Sequence, residues 1–300
     1  MWRECLAFFV MTARIGRGHQ VGRNDMTRVR LLTIMLGATL ALPLAAHAQN
    51  NQGQNNQGNP DGLRFCAGLP DYTQLTSVLR GPVNASGGPS NGGLDLNMWA
   101  SIVGLDGTVC AVTFSGHSFT DQWLGSRVIS AQKANTANDF SLNGFALSTA
   151  NLYSAVQPGG SLYGLQHSNP VDADIAYAGS ASSYGTFNDP LVGKRVGGVN
   201  VFGGGLALYN QNKQKIGALG VSGDTSCADH NVAWSVRQAL GLGAANVPNG
   251  VSGDHKDKII YDIASGHSAS GFGHPTCGNN ELAVGLSIHA ACSPNAATCP

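Results

Sequence analysis

The sequence predicts an α/β (α+β) sandwich, an antiparallel sheet with helices packed on it. Three observations carry this. "LDLNMWASIVGLDGTVCAVTFSG" alternates as a hairpin, with strands over Met98 to Val103 and Val109 to Phe114 around the turn "LDGT". A helical stretch follows from Gly125 to about Phe140, "SRVISAQKANTANDF". Two further strands, "GVNVFGGGLALYN" and "KIGALGVSG", then lead into a long helix over Cys227 to Leu240.

In chain order, residues 1–48 read as leader and signal peptide. From Met26 come two arginines, an apolar run from Leu31 to Leu44, then Ala46, His47 and Ala48, an A-x-A cleavage pattern with the mature chain beginning at about Gln49. The run is shorter than the roughly 20 residues that span a bilayer and contains Pro43, so no stable membrane anchor is expected. The segment 49–62 repeats QNNQG and has nothing apolar to bury, which predicts a disordered linker. A domain is expected over 63–244. It opens with a helix in "PDYTQLTSVLRG", whose Leu75, Val78 and Leu79 share a face, with Gly81 and Pro82 as the stop. The region Ser141 to Asn200 is punctuated by "QPGG", "SNP", "NDP" and "VGG" and reads as loop. Residues 245–300 form a Gly-, His- and Cys-rich C-terminal extension.

Cleavage would leave 11 basic and 15 acidic residues, and the only basic cluster is the pair Lys194 and Arg195. Nucleic acid is therefore not an expected partner, since phosphate binding needs a basic face. Six cysteines remain after the leader: Cys66, Cys110, Cys227, Cys277, Cys292 and Cys299. An even number fits an oxidising compartment, periplasmic or extracellular. Six permit about 15 pairings, among which Cys292 with Cys299 and Cys227 with Cys277 are the two suggested here. No CxxC pair and no HExxH motif occurs, and the spacing of His267 and His274 matches no metal pattern, so a zinc site is weakly supported.

Three segments together, "GTVCAVTFSG", "SRVISAQKANTANDF" and "KIGALGVSGDTSCADHNVA", resemble the GlcG/HbpS-like family, also called the DUF336 or haem-degrading domain family. The resemblance runs through Lys133, Ala134, Thr136 and Ala137, then Gly217, Ala218, Gly220, Val221, Ser222, Gly223 and Asp229. It implies a profilin-like, mostly antiparallel sheet flanked by helices, homo-oligomerisation, and haem or a similar tetrapyrrole as ligand. The long loop between the matching halves and the cysteine-bearing tail depart from the pattern.

The chemistry of these positions can be weighed residue by residue. Ile129, Lys133, Thr136 and Phe140 share a helical face, with alanines around it. An ammonium there must snorkel to water or meet an anion, because burying it alone is costly. A haem propionate would supply the anion, and the Thr136 hydroxyl would meet the same ligand or bond back to its own helix. Gly220 and Gly223 lead from strand to helix, where free N–H groups attract a carboxylate; Asp229 is either part of that site or a helix cap in the pattern Ser226 to Asp229. The expected cofactor contacts are thus Lys133, Thr136, Gly220, Gly223 and Asp229, in a crevice between the Lys133 helix and the glycine turn. Iron needs an axial donor, for which His117 and His230 stand nearest the matched motifs. No catalytic residue is assigned: Ser222 in "GVSGD" lacks the spacing of a nucleophile elbow, and Asp172 and Asp174 read as an exposed turn. The reading is a secreted or periplasmic haem-binding carrier or sensor. Its alternatives are an enzyme degrading haem or acting on a small hydroxy acid such as glycolate, and a structural oligomeric interaction module.

Overall fold

The computed structural model describes residues 63–83, 91–252 and 256–290. Its centre is a four-stranded antiparallel sheet built from β1 (Trp99–Gly104), β2 (Val109–Phe114), β3 (Gly205–Tyr209) and β4 (Lys215–Ser222), in the order β2-β1-β4-β3. The hairpin closes as the alternation predicts, with Trp99 opposite Phe114 and Ser101 opposite Val112. β4 then pairs along the other side of β1, Ser101 opposite Gly220.

Helices cover both faces, giving the α+β sandwich that the sequence predicts. α1 (Tyr72–Val83) and α3 (Ser226–Ala239) lie on one side, and α2 (Ser126–Phe140) lies on the other. Period-two alternation sorts the strand residues between two cores. Ala100, Ile102, Leu219 and Val221 join Leu75, Leu79, Val232 and Trp234 on the first face. Trp99, Val103 and Ala218 meet Val128, Ala131, Ala134 and Ala137 on the second. α1 runs on past its expected stop: Gly81 and Pro82 lie within its last turn, where a proline forfeits a single ladder bond.

Residues 141–204 form a long connection with only single-turn helices, among them Ala173–Ala176, capped by Asp172 accepting from the Ile175 N–H at 3.1 Å. A buried clamp holds it to α2. The Arg127 guanidinium grips Asp189 in two hydrogen bonds, donates to the Ala176 carbonyl at 3.0 Å, and stacks on Tyr184 at 3.6 Å. The tail after Ala244 folds back over α3, and its described part includes α4 (Glu281–Ala290). Its clamp is Arg237 of α3, bidentate to Asp257 at 2.6 and 2.8 Å, both side chains buried. Cys227–Cys277 forms as suggested and ties the tail to the first turn of α3, while Cys66–Cys110 fastens the N-terminal turn to β2. Cys292 and Cys299 lie outside the described residues, as do the signal segment and the linker. Among the described residues no helix is long and apolar enough to cross a membrane.

Candidate functional site

The close fit of α2 on the sheet explains the glycines. A Cβ on Gly220 would overlap the Ser130 carbonyl oxygen, and one on Gly205 would overlap the Lys133 carbonyl oxygen. The helix backbone therefore rests on the strands where side chains are missing, and Ser101 bonds Ser130 at 2.7 Å between them. Gly223 serves a similar end, since a side chain there would meet Asn97 and Met98. These glycines face protein backbone, which corrects the expectation of a ligand-lined turn.

Lys133 finds its anion inside the protein. Its Nζ lies 2.7 Å from Asp229 Oδ2 and 3.1 Å from the Val221 carbonyl oxygen. α2 and α3 occupy opposite faces, so this side chain crosses the sheet layer at the end where β3 begins and β4 finishes. Gly204, at φ +116°, leaves the gap: a Cβ there would overlap the Val221 carbonyl oxygen that accepts from Lys133, and would stand 3.0 Å from Asp229 Cβ and 3.3 Å from the ammonium. Burial works against both charges. It lowers Lys133 and raises Asp229 to about 6, while their mutual attraction opposes each shift. The other Asp229 oxygen accepts from the Asp224 N–H at 3.0 Å. Asp229 is therefore not the helix cap; Thr225 is, its hydroxyl accepting from the Ala228 N–H.

The structure thus brings Lys133, Gly220, Gly223 and Asp229 together, but as a closed assembly. Lys133 is 1% exposed, Asp229 2% and Thr136 0%, so a flat ligand has no surface of theirs to touch. The Thr136 hydroxyl donates to the Gln132 carbonyl at 2.8 Å and accepts from the Asn200 N–H at 2.9 Å, holding the long connection rather than facing a crevice. The crevice expected between the Lys133 helix and the glycine turn is filled by the packing of α2 on β4.

The two candidate iron ligands part company. His230 is fully buried, and its Nε2 accepts from the Ile259 N–H at 3.2 Å, which places the proton on Nδ1. Nδ1 has no partner, and burial drives the imidazole down to about 3. Arranged this way His230 offers iron no lone pair, a correction imposed by the tail segment lying on it. His117 is exposed, on a loop with a defined shape. Asp121 accepts from the His117 and Ser118 N–H groups at 2.8 and 2.9 Å, which holds its carboxyl below the ordinary range. Trp99 Nε1 donates to the Trp123 carbonyl at 3.0 Å, so the loop is anchored from within while Trp123 and Leu124 stay more than half exposed.

One cluster carries no sequence motif. His274, 1% exposed, bonds Ser226 Oγ through Nε2 at 2.8 Å beside the Cys227–Cys277 disulfide, with Tyr153 at 5.1 Å between ring centres. Burial pushes its imidazole down to about 4. The short spacing His274-x-x-Cys277, joined to the suggested Cys227–Cys277 pairing, was the available signal.

With this geometry in place, residues 94–237 match the family model described as haem degrading protein HbpS-like. The stretch 94–237 is similar to HbpS-like domains. It holds the sheet, α2 and most of α3, including Lys133 and Asp229, whereas the tail lies beyond it. Among solved structures the chain is similar to one described as the crystal structure of a PduOC–heme complex, at 25% identity over 58% of this chain and 94% of that one, with a TM-score of 0.39. It is also similar to Klebsiella pneumoniae protein ORFY, described as DUF336, at 23% identity over 57% and 90% of the two chains, with a TM-score of 0.36. No curated protein matches.

Proposed function

We propose that this chain is an exported haem- or tetrapyrrole-binding protein, a carrier or sensor module that assembles as a homo-oligomer. The match of residues 94–237 to a haem-related family is the observation that carries the reading. Two disulfides and the signal-like segment support export to the periplasm or medium. Exposed Trp123, Leu124, Tyr177 and Phe187 supply apolar surface for a ligand or a second copy.

The buried assembly around Lys133 and Asp229 does not fit a tetrapyrrole, because its polar atoms are satisfied internally. The loop after β2 fits better. An exposed imidazole at His117, on a loop whose backbone Asp121 holds and where Trp123 and Leu124 follow, supplies an iron donor with apolar neighbours. Hemin titrated into the mature protein should shift the Soret band and saturate at a fixed ratio to protein. His117→Ala should abolish the ligated band while changing stability by less than about 0.5 kcal/mol. An unshifted band with the native protein would remove the ligand, and an unaltered band in the variant would remove His117.

The family description itself favours a second reading, turnover of bound haem. Soret loss under a reductant with release of a product would separate it from binding.

A further inference from the structure

The tail gathers metal-ligating side chains that are far apart in the chain. Cys227, His274 and Cys277 each offer one donor atom, and these atoms lie within 4.8 Å of one another. With the disulfide formed, the two sulfurs are spent on each other. The imidazole is already oriented. Nδ1 lies 2.7 Å from the Pro275 carbonyl oxygen, an acceptor only, and 3.9 Å from Cys227 Sγ, so in the disulfide form Nδ1 carries the proton and Nε2 keeps its lone pair. A backbone carbonyl holding the far nitrogen is how metal-binding histidines are commonly fixed. Nε2 faces Ser226 Oγ at 2.8 Å, and Ser226 Oγ stands 3.8 Å from Cys277 Sγ. The Cys227 N–H, in the first turn of α3, donates to Cys277 Sγ at 3.3 Å and would favour a thiolate at that sulfur.

We propose that reduction of the Cys227–Cys277 disulfide opens a Cys2His site for a zinc-like divalent cation, with Cys227, Cys277 and His274 as ligands and the Ser226 hydroxyl or a water as the fourth. Two thiolates and an imidazole select a borderline-soft cation over magnesium or calcium, whose ligands are oxygens. The chemistry balances with an external dithiol as reductant. The dithiol gives two electrons and two protons to the S–S bond and leaves as its own disulfide; the cation then displaces both thiol protons. The bound ion would take over the cross-link between the tail and α3, so the tail stays fastened in either redox state. This claim is independent of haem.

Cobalt(II) is a suitable probe, because thiolate ligation gives it a charge-transfer band in the near ultraviolet. The full chain, reduced and freed of reductant, should bind one cobalt with that band, and zinc should displace it. The oxidised chain should show no band. Cys227→Ser/Cys277→Ser, reduced identically, should lose it, which separates this site from the remaining cysteines. His274→Ala should weaken binding by about tenfold or more. Zinc should also restore protease resistance to the tail of the reduced wild-type chain. A band that survives in the double serine variant, an unchanged affinity in His274→Ala, or a reduced chain that takes up no cobalt would each overturn the proposal.

Discussion

The long connection (141–204) and the tail (after 244) are fastened by the same chemistry, and the tail is fastened by more. Each is gripped by a buried arginine from a core helix, Arg127 to Asp189 in one case and Arg237 to Asp257 in the other. The connection enters and leaves through core elements, α2 and β3, so its ends are fixed by the fold. The tail leaves α3 and, among the described residues, has no later strand of the central sheet to return to. Its freedom is instead restricted by Cys227–Cys277, a cross-link spanning 50 residues. Segments closed at both ends by the sheet can rely on polar clamps, whereas one closed at a single end gains much more from a covalent bond.

Three measurements would break or sharpen this contrast. The largest effect is expected from Arg127→Met, which strands Asp189 as a buried carboxylate without its counter-charge. It should cost about 3–5 kcal/mol in urea unfolding and lower the whole transition, since the connection cannot detach alone. Next, Cys227→Ala/Cys277→Ala should cost about 2–4 kcal/mol. Limited proteolysis should then cut within 245–290 while the sheet and α2 stay protected; simultaneous loss of both would show that the tail is part of the core. The smallest is pH. His230 lies under the tail and His274 within it, with folded values near 3 and 4, below the ordinary 6.5. The unfolded chain therefore takes up these protons first, and their contribution, complete above pH 6.5, is lost as pH falls through that window. Asp229 works the other way: raised to about 6, it is protonated first in the folded chain and gains stability on acidification. Between pH 7 and 5 two imidazoles oppose one carboxyl, so denaturant titration should show a net loss of stability on acidification. His230→Leu should flatten the slope, and an unchanged slope would show that this imidazole does not report on folding.

Much of this was legible beforehand. Alternation around "LDGT" placed the hairpin, and the alanines of "SAQKANTANDF" marked a helix that something approaches closely. Composition says only that side chains must be small. It does not say whether backbone or ligand fills the space, and at Gly220 the answer is the Ser130 carbonyl. The sequence leaves Lys133 to reach water or an anion, and in the fold it meets the Asp229 carboxylate. That partner stands 96 residues away on the opposite face of the sheet, a distance no local pattern spans. Asp229 attracted attention for the wrong reason, because a carboxylate in the first turn of a helix ordinarily caps it. His230 looked available because the tail that buries it lies outside the motifs.

The passage of Lys133 through the layer of strands has a consequence for assembly. A helix that merely lies on a sheet can come and go by itself, but this one reaches across to grip the helix beyond. If either face forms first, it leaves an unneutralised ion facing an unfinished wall. The two sides of the molecule should therefore be riveted into one cooperative event, with Gly204 as the hole through which the rivet passes.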